Sequence, residues 1–477
     1  MKKTAFYLLT DSHLVSERIW EEGSSISNRE RGDQIVLIDT PKILDGFIEK
    51  ILADPEAETV VFTGDNINGG DLASHEDFRT RLDRLVAAGK KVCVTTATHD
   101  YCGEGDDENF FHAVRYTKDG TEPTPCMRKS GLFDFYYNYG PRQALSVHRE
   151  SGSYCVQLGE GVRMILINDN GNGRSHCGLF ADGVAWLEAQ IAQAKEAGDF
   201  VLLAVHHPVI APWEVYRHLV DFELYGGYRD LWALMCKEHV RVVFTGHTHV
   251  QNIQKYTDKN GEWFLDISTI AMANAAGKMR RVVVDPDAGR CDVTSVGIDR
   301  VPGIDLQGKT PFEYYYGLNF PGILQRILPL AETDFNAFLQ ASRGVLPTEQ
   351  LEKYRLIAKP VLRRVLKMKL STAANFGRKY NGMTRDERKA LRDRPAMDTI
   401  YEILKHIYPG NAPFPPETPE YRVVKGVTAR LDHIVDKFHI KKVQDIIPPG
   451  SSLAEIVEAF LYNNRTGDDD TISFDLR

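Results

Sequence analysis

The sequence predicts an α/β fold, and two observations lead to that prediction. From residue 4 to about residue 300, short apolar strand segments alternate with amphipathic helix segments, which is the pattern of a layered α/β domain. After about residue 303 the strand signals disappear and helical patterns dominate. We therefore expect two domains in this chain of 477 residues, an α/β domain over residues 1–303 and a mostly helical C-terminal region over residues 304–477.

Each element of the first region has its own signal. Clusters of apolar and β-branched residues predict strands at 4–10, 59–63, 91–96, 162–168, 200–205 and 241–245, with two later strands at "WFLDIS" and "RRVVVD". Apolar residues at helical spacing predict one helix from an N-cap at Thr40 to Leu52, and others near 76–88, 182–197 and 227–238. The polar and aromatic segment 100–150 interrupts the alternation, so we expect a long loop-like insertion there.

The C-terminal region has the periodicity of helices. They are predicted at 351–370, 396–407 and 421–438, and a capping box of Ser452 and Glu455 predicts one more. Between residues 351 and 395 basic residues outnumber acidic ones. Solvated helix faces are the favoured interpretation of that excess, and an anion-binding face is the alternative.

Composition excludes several classes of protein. A net charge of -8 and a pI near 6.0 do not indicate a nucleic-acid partner. Seven scattered cysteines without a CxxC pair favour reduced thiols. The apolar run at the N-terminus stops at Asp11, and no stretch is long enough to cross a bilayer, so a cytoplasmic protein without membrane contact is expected. Kinases and dehydrogenases are disfavoured because their glycine-rich phosphate loops are missing.

Polar side chains follow four of the predicted strands at the point where each strand ends. The endings read "LLTDSH", "VVFTGDN", "LLAVHHP" and "VVFTGHTH". In an open α/β sheet, ligands bind outside the carboxyl ends of the strands, where the loops meet. We therefore expect one shared site that contains Asp11, His13, Asp65, His206, His247 and His249.

The residue types and their spacing indicate a metal centre. Asp11 and His13 are two residues apart, and on an extended segment their side chains would point to the same side. A two-residue step spans about 6.6 Å, whereas paired catalytic metals lie about 3.5–4 Å apart, so one such step can straddle two metals. Carboxylates combined with imidazoles suit zinc, iron or manganese.

Taken in order, the motifs resemble the calcineurin-like metallophosphoesterase superfamily, in its branch of purple acid phosphatases and phosphodiesterases. The chain has "DSH" at 11–13, "GDN" at 64–66, "THD" at 98–100, "HHP" at 206–208 and "GHTH" at 246–249; the family pattern runs DxH, GD, GNH[DE], H and GHxH. The resemblance implies a four-layer α/β/β/α sandwich with the helical region as an extension. It also implies an enzyme that hydrolyses a phosphomonoester or phosphodiester through a metal-bridging hydroxide.

The resemblance implies a role for each matching residue. The ligands of two transition-metal ions (manganese, iron or zinc) would be Asp11, His13 and His249 for the first ion, Asp65 as a bridge, and His206 and His247 for the second. His99 matches the family's histidine over the leaving group, which can protonate the departing alkoxide. Asp100 would orient the ring of His99.

The chain departs from the family pattern at two positions. Thr98 replaces the asparagine that ligates the second metal, so that site is expected to be weak or completed by water. Asn68 stands where purple acid phosphatases have a tyrosine ligand, three residues after the bridging aspartate. A ferric form should therefore lack tyrosinate charge transfer.

The substrate is the least constrained part of the prediction. A small phosphate ester is expected, and His207, Arg174 and Arg217 are candidates to bind it because their loops should border the metals. One alternative is a nuclease or nucleotide phosphodiesterase that uses the basic helical region. A second alternative is a catalytically inert metal-binding module, because of Thr98.

Overall fold

The structure is a computed structural model that describes residues 1–23, 25–102, 113–171, 177–212, 224–343, 346, 348–438, 452–462 and 466–477. The chain divides into two units. The first unit consists of Met1–Pro212, Phe222–Tyr316 and Arg465–Arg477, and the second consists of Trp213–Asp221 and Gly317–Asn464. The last strand of the chain therefore belongs to the first unit.

All the strands of the described residues lie in the first unit. In chain order they are β1 (Thr4–Leu9), β2 (Ala57–Thr63), β3 (Lys91–Thr95), β4 (Val114–Thr117), β5 (Gly120–Pro123), β6 (Ser146–His148), β7 (Ser153–Gly159), β8 (Val162–Ile167), β9 (Phe200–Val205), β10 (Val242–Thr245), β11 (Asn252–Thr257), β12 (Trp263–Ser268), β13 (Met279–Asp285), β14 (Arg290–Val296) and β15 (Thr471–Asp475). One sheet has the order β15-β14-β13-β1-β2-β3, a second has the order β11-β12-β10-β9-β8-β7-β6, and β4 and β5 form a hairpin.

The helices differ in number and length between the units. The first unit contains α1 (Ile26–Gly32), α2 (Thr40–Leu52), α3 (Leu72–Ala87), α4 (Lys129–Phe135), α5 (Ala181–Ala197), α6 (Tyr228–Glu238) and α7 (Pro311–Tyr316). The second unit contains α8 (Phe320–Ile327), α9 (Leu330–Thr333), α10 (Phe335–Ala341), α11 (Thr348–Lys353), α12 (Arg355–Leu366), α13 (Leu370–Phe376), α14 (Arg385–Ala390), α15 (Ala396–His406), α16 (Pro419–Phe438) and α17 (Leu453–Leu461).

The alternation of side chains along each strand creates the layers of the first unit. Phe6 and Leu8 of β1 point into a core that both sheets share, together with Phe244 of β10. Tyr7 and Leu9 point the other way and pack against α2 and α3. Helices α5 and α6 contribute buried residues beside the second sheet. The predicted α/β/β/α sandwich and the helical C-terminal region are both confirmed.

Three local predictions need correction. The insertion at 100–150 is not a plain loop, since its described part contains the hairpin β4–β5, helix α4 and strand β6. The helix predicted at 351–370 is two helices, because the backbone leaves the helical conformation at Tyr354. Thr40 is the first residue of α2 rather than its N-cap, and its hydroxyl instead accepts from the Val15 N–H and donates to the Leu37 carbonyl.

Two further predictions concern single features. The capping box of Ser452 and Glu455 is confirmed at the start of α17. None of the helices in the described residues is long and apolar enough to span a membrane.

Candidate metal centre

The topology brings the polar strand ends together in pairs. Strands β1 and β2 are parallel neighbours in one sheet, so Asp11 and Asp65 follow adjacent strands. Strands β9 and β10 are parallel neighbours in the other sheet, so His206 and His247 also follow adjacent strands. The four endings meet at one edge of the sandwich, as the sequence predicts for the carboxyl ends of an α/β sheet.

The loops after these strands are sharply turned rather than extended. Five of the six predicted ligands have positive φ angles: Asp11 (51°), His13 (40°), Asp65 (48°), His247 (65°) and His249 (60°). The expectation that Asp11 and His13 share a side because their segment is extended is therefore wrong. L-residues rarely adopt the left-handed region, and each such residue costs about 1–3 kcal/mol. That strain is concentrated where the side chains converge.

The first group of converging side chains is Asp11, His13 and His249. Their ligand-type atoms all lie within 4.8 Å of one another, and the three residues are buried. Asp11 Oδ1 lies 3.7 Å from Nε2 of His13 and 3.3 Å from Nε2 of His249. The two Nε2 atoms are 3.0 Å apart. One carboxylate oxygen and two imidazole nitrogens thus face a common point.

The second group is Asp65, His206 and His247, whose ligand-type atoms also lie within 4.8 Å of one another. His206 Nε2 is 3.0 Å from Asp65 Oδ2 and 3.9 Å from Asp11 Oδ1. His206 Nδ1 lies 2.9 Å from the Thr63 carbonyl oxygen. Because a carbonyl only accepts, Nδ1 carries a proton, and Nε2 is the nitrogen that faces the carboxylates. A carbonyl that fixes a histidine in this way is the usual support of a metal ligand.

Two glycines of the motifs are required by close approach. A Cβ atom on Gly246 would lie 2.6 Å from Asp11 Oδ2, and a Cβ atom on Gly64 would lie 2.8 Å from His206 Nδ1. Gly64 also has a φ of 98°. The Gly-Asp and Gly-His pairs therefore let the backbone of one loop pass directly beside the ligand of another.

These residues fit a bound transition metal. Asp11 Oδ1 and His206 Nε2 are buried and have no hydrogen-bond partner among the described residues. Buried polar atoms are normally satisfied, so such atoms at a converging point indicate a ligand that completes them. An imidazole lone pair that faces a carboxylate oxygen at 3.0 Å is also repulsive unless a proton or a cation lies between them. Two groups of one carboxylate and two imidazoles match the preferences of zinc, iron and manganese.

The electrostatics of the pocket keep the carboxylates charged. Burial alone would raise the pKa of Asp11 and of Asp65, but the neighbouring imidazoles, His206 foremost, bring both pKa values well below the usual range. Burial lowers the pKa of His206, yet Asp65 and Asp11 outweigh that effect and raise it to about 9. The two buried carboxylates and the imidazoles that face them therefore favour a positive charge between them, which a proton or a metal ion can supply.

The turn Thr98–Asp100 follows β3 and carries the predicted catalytic histidine. The His99 N–H donates to Asp65 Oδ1 over 2.9 Å, and His99 Nδ1 lies 2.8 Å from the Asn68 carbonyl oxygen. By the same logic as for His206, Nδ1 holds the proton and Nε2 the lone pair. Burial lowers the pKa of His99 to about 3.

The sequence predicts that Asp100 orients the ring of His99. In the structure its carboxylate instead supports the turn that carries His99. Its Oδ2 accepts from the Ala97 N–H (2.8 Å) and from Asn66 Nδ2 (3.2 Å), and its Oδ1 accepts from the Ile67 N–H (2.9 Å). The ring of His99 is instead held by the backbone of Asn68.

The structure describes two of the four remaining predicted residues, Thr98 and His207. Thr98 is buried at the start of the turn. His207 is buried, with Nδ1 2.9 Å from Asp169 Oδ2 and its ring 4.2 Å from that of His247. Burial lowers the pKa of His207, but the Asp169 carboxylate raises it well above the usual range. Arg174 and Arg217 lie outside the described residues.

Three supporting residues were missed by the sequence analysis. Asp169 holds His207, and Asn66 ties Asp100 to the Thr95 carbonyl. His75 of α3 lies behind the turn, with Nε2 2.8 Å from the Asp100 carbonyl and Nδ1 2.6 Å from the Tyr136 hydroxyl. The sequence offered a signal for Asp169, because this residue follows strand β8 just as the predicted ligands follow their strands. His75 sits within an ordinary amphipathic helix and had none.

Comparison with known proteins places the motifs in a family. Residues 6–251 match the family described as calcineurin-like phosphoesterase. That stretch covers more than half of the chain and contains all six converging residues. No curated protein is found to match the sequence.

Solved structures with a similar arrangement include two phosphatases. A dimetal phosphatase from Danio rerio is 12% identical, with a TM-score of 0.41, and the match covers 62% of this chain and 96% of that one. A purple acid phosphatase from yellow lupin seeds is 12% identical, with a TM-score of 0.42, and the match covers 64% of this chain and 53% of that one. Similarity at this level supports no residue assignment.

Proposed function

Since the chain belongs to the calcineurin-like phosphoesterase family and is a metal-dependent phosphoric ester hydrolase, we propose that two transition-metal ions bind at the joined strand ends and that a small phosphate ester is the substrate. The observation that carries the proposal is the pair of buried ligand groups. We assign Asp11, His13 and His249 to the first ion and His206 and His247 to the second, with Asp65 between them. Manganese, iron and zinc all suit this donor set.

The bound ions would supply a nucleophile from water at neutral pH and would neutralise the phosphate oxygens. The protein holds the carboxylates in place for this purpose. Asp11 Oδ2 accepts from the Thr10 hydroxyl (2.7 Å) and from the His247 N–H (3.0 Å), which leaves Oδ1 for an ion. Asp65 Oδ1 accepts from the His99 N–H, which leaves Oδ2 beside His206.

We assign the proton transfer to His99. The Asn68 carbonyl fixes the proton on Nδ1, so Nε2 is the atom that can take a proton within the site and return it to the leaving alkoxide. Asp100, Asn66 and His75 keep the turn that carries His99 in place. Thr98 is assigned as a weak ligand or as a partner of water, because its hydroxyl is one bond shorter than an asparagine amide.

His207 is assigned to the edge of the substrate site. Its ring packs on His247 and its Nδ1 is committed to Asp169, so it would present a positive charge near a phosphate oxygen. Arg174 and Arg217 remain proposed substrate ligands on the strength of the sequence.

A small ester is favoured over nucleic acid because part of the basic segment is already neutralised within the second unit. Arg355 pairs with Glu352 at 3.2 Å, and Lys367 pairs with Glu332 at 3.0 Å. An exposed ion pair contributes little to stability, but its acidic partner still lowers the net positive charge of the surface. A nuclease would instead bind single-stranded or duplex DNA with an affinity that falls steeply as salt is raised.

The test is hydrolysis of aryl phosphates under control of metal. Purified protein is stripped with a chelator and assayed on p-nitrophenyl phosphate and bis(p-nitrophenyl) phosphate, before and after manganese, zinc or ferrous iron is restored. We expect no hydrolysis without metal and recovery with at least one of the three. Full activity in the stripped protein, or none after any addition, would contradict the proposed function.

A further inference from the structure

A polar cleft that is separate from the ligand groups borders the turn after β3. It has a volume of about 230 Å³, and its lining includes Thr96, Asn168, Asn170, Phe133 and Gly152. None of these residues takes part in the metal centre described above. The cleft therefore has no role in the proposed metal chemistry itself.

Two backbone segments connect the cleft to the metal centre. Strand β8 ends at Ile167, and the next three residues alternate in direction, so that Asn168 and Asn170 line the cleft while Asp169 holds His207. On the other side Thr96 lines the cleft, and the turn that carries His99 begins two residues later. A substrate bound through its phosphate at the metal centre would thus have its other end near this cleft.

The hydrogen bonds of the cleft leave one donor and one acceptor for a ligand. Thr96 Oγ1 accepts from Asn168 Nδ2 (2.9 Å) and from Asn170 Nδ2 (3.2 Å), so its own proton is available for donation. The second N–H of the Asn170 amide goes to Asn168 Oδ1 at 2.6 Å. Asn170 Oδ1 is buried without a hydrogen-bond partner in the described part of the chain. A hydroxyl group, which both donates and accepts, complements this pair.

The walls of the cleft favour an uncharged ligand. Arg149 pairs with Asp134 at 2.9 Å and lies over the ring of Phe133 at 4.8 Å, and the Lys129 amino group donates to the Gly171 carbonyl. Both positive charges at this cleft are therefore already engaged, and the carboxylate of Glu150, which also lines it, disfavours an anionic ligand. Gly152 keeps the space open, because a Cβ atom there would lie 3.1 Å from Asn168 Nδ2.

We propose that this cleft binds the leaving alcohol of the phosphate ester and selects an uncharged alcohol that carries a further hydroxyl group. The inference rests on the proposed hydrolysis and adds the class of substrate to it. Thr96 would donate to that hydroxyl, and Asn170 Oδ1 would accept from it. Phe133 would cover the carbon skeleton of the alcohol.

The experiment compares an ester whose leaving alcohol carries further hydroxyl groups with an ester whose leaving group carries none, each measured as a ratio of variant to wild type. Values of kcat/KM are measured for glycerol 2-phosphate and phenyl phosphate, and for their methyl diesters, with manganese-loaded wild type, Asn170→Ala, Thr96→Val and Thr96→Ser. Asn138→Ala is the matched control, because Asn138 is exposed and does not line the cleft. Melting temperature and metal content per chain verify that each variant is folded and loaded.

We expect Asn170→Ala and Thr96→Val to lower kcat/KM for the glycerol esters about tenfold, since one hydrogen bond contributes on that scale. The phenyl esters should change less than twofold, and Thr96→Ser should stay near wild type on both. Equal losses on both kinds of ester, or no loss on either, would overturn the cleft as a subsite. A wild type that hydrolyses only the phenyl esters would also overturn it and leave the proposed function intact; a wild type that hydrolyses neither kind would remove both.

Discussion

The backbone N–H of His247 donates a hydrogen bond to Oδ2 of Asp11 over 3.0 Å. Asp11 follows β1 in one sheet and His247 follows β10 in the other, so this contact joins the ends of the two sheets. It also connects the two ligand groups, because Asp11 belongs to one and His247 to the other. The geometry of each group therefore depends on the loop that carries the other.

Gly246→Ala should break this connection. The new Cβ atom would lie 2.6 Å from Asp11 Oδ2, closer than real side chains approach, so either Asp11 or the loop after β10 must move. We expect the variant to retain less than half of the wild-type metal and to lose at least 100-fold in kcat. Gly297→Ala is the control, since its nearest neighbour would be 4.0 Å away; equal behaviour of the two variants would argue against the close approach.

His99→Ala should separate metal binding from proton transfer. Its ring is held by the Asn68 carbonyl oxygen, and its bond to Asp65 comes from the backbone N–H, which alanine retains, so metal content should stay near the wild-type level. Turnover should fall by about 10²-fold or more for alkyl esters, which need a proton on the leaving oxygen, and less for p-nitrophenyl esters. Similar losses for good and poor leaving groups would indicate that His99 contacts the phosphoryl oxygens instead.

Protein stability should decrease in mildly acidic solution because of His75. Burial lowers the pKa of this histidine to about 4, whereas an unfolded chain has a histidine pKa near 6.5. The unfolded state therefore takes up the proton first, and stability is lost as the pH falls from about 6.5 to about 4, by roughly 3 kcal/mol from this group. Urea unfolding at several pH values checks this. His75→Phe should show a correspondingly shallower decline, and an unchanged decline would place its origin elsewhere.

Thr98→Asn should strengthen the second metal site if the short hydroxyl leaves that ion under-coordinated. Calorimetric titration of manganese into wild type should then resolve two affinities, and the variant should bring them closer together. Activity on p-nitrophenyl phosphate at limiting metal should rise in the variant. A single affinity in both proteins would show that Thr98 is not what limits the second ion.

The sequence reveals most of the site because its chemistry is local to the strand ends. Asp11, Asp65, His206 and His247 each follow a recognisable apolar strand, and parallel neighbours carry them to one edge. The positive φ angles of five of the predicted ligands could not be predicted, because only the assembled loops enforce them. The expected role of Asp100 fails for a similar reason, since Asn66 and the Ile67 N–H, two of its partners, come from a loop that is distant in sequence.

The supporting features were harder to predict for a related reason. In the sequence, Asn168 and Asn170 resemble ordinary loop residues. Only the structure shows that they bond to each other while Asp169, between them, bonds to His207. In the segment 100–150, the turn-rich composition gave no sign of a hairpin and a short helix. These elements are stabilised by contacts with helix α3 and with the loop that follows β1, rather than by a periodic pattern of their own.

Metal content measured per chain tests the central claim most directly. We load four proteins with manganese and remove the unbound metal: wild type, Asp65→Asn, His249→Ala and the exposed control Asp119→Asn. Metal per chain is then measured by inductively coupled plasma mass spectrometry. We predict two ions in wild type and in Asp119→Asn, one in His249→Ala, and fewer than one in Asp65→Asn, because Asp65 is proposed to contact both ions. Two ions retained by Asp65→Asn, or no ion bound by wild type, would contradict a two-metal centre at these strand ends.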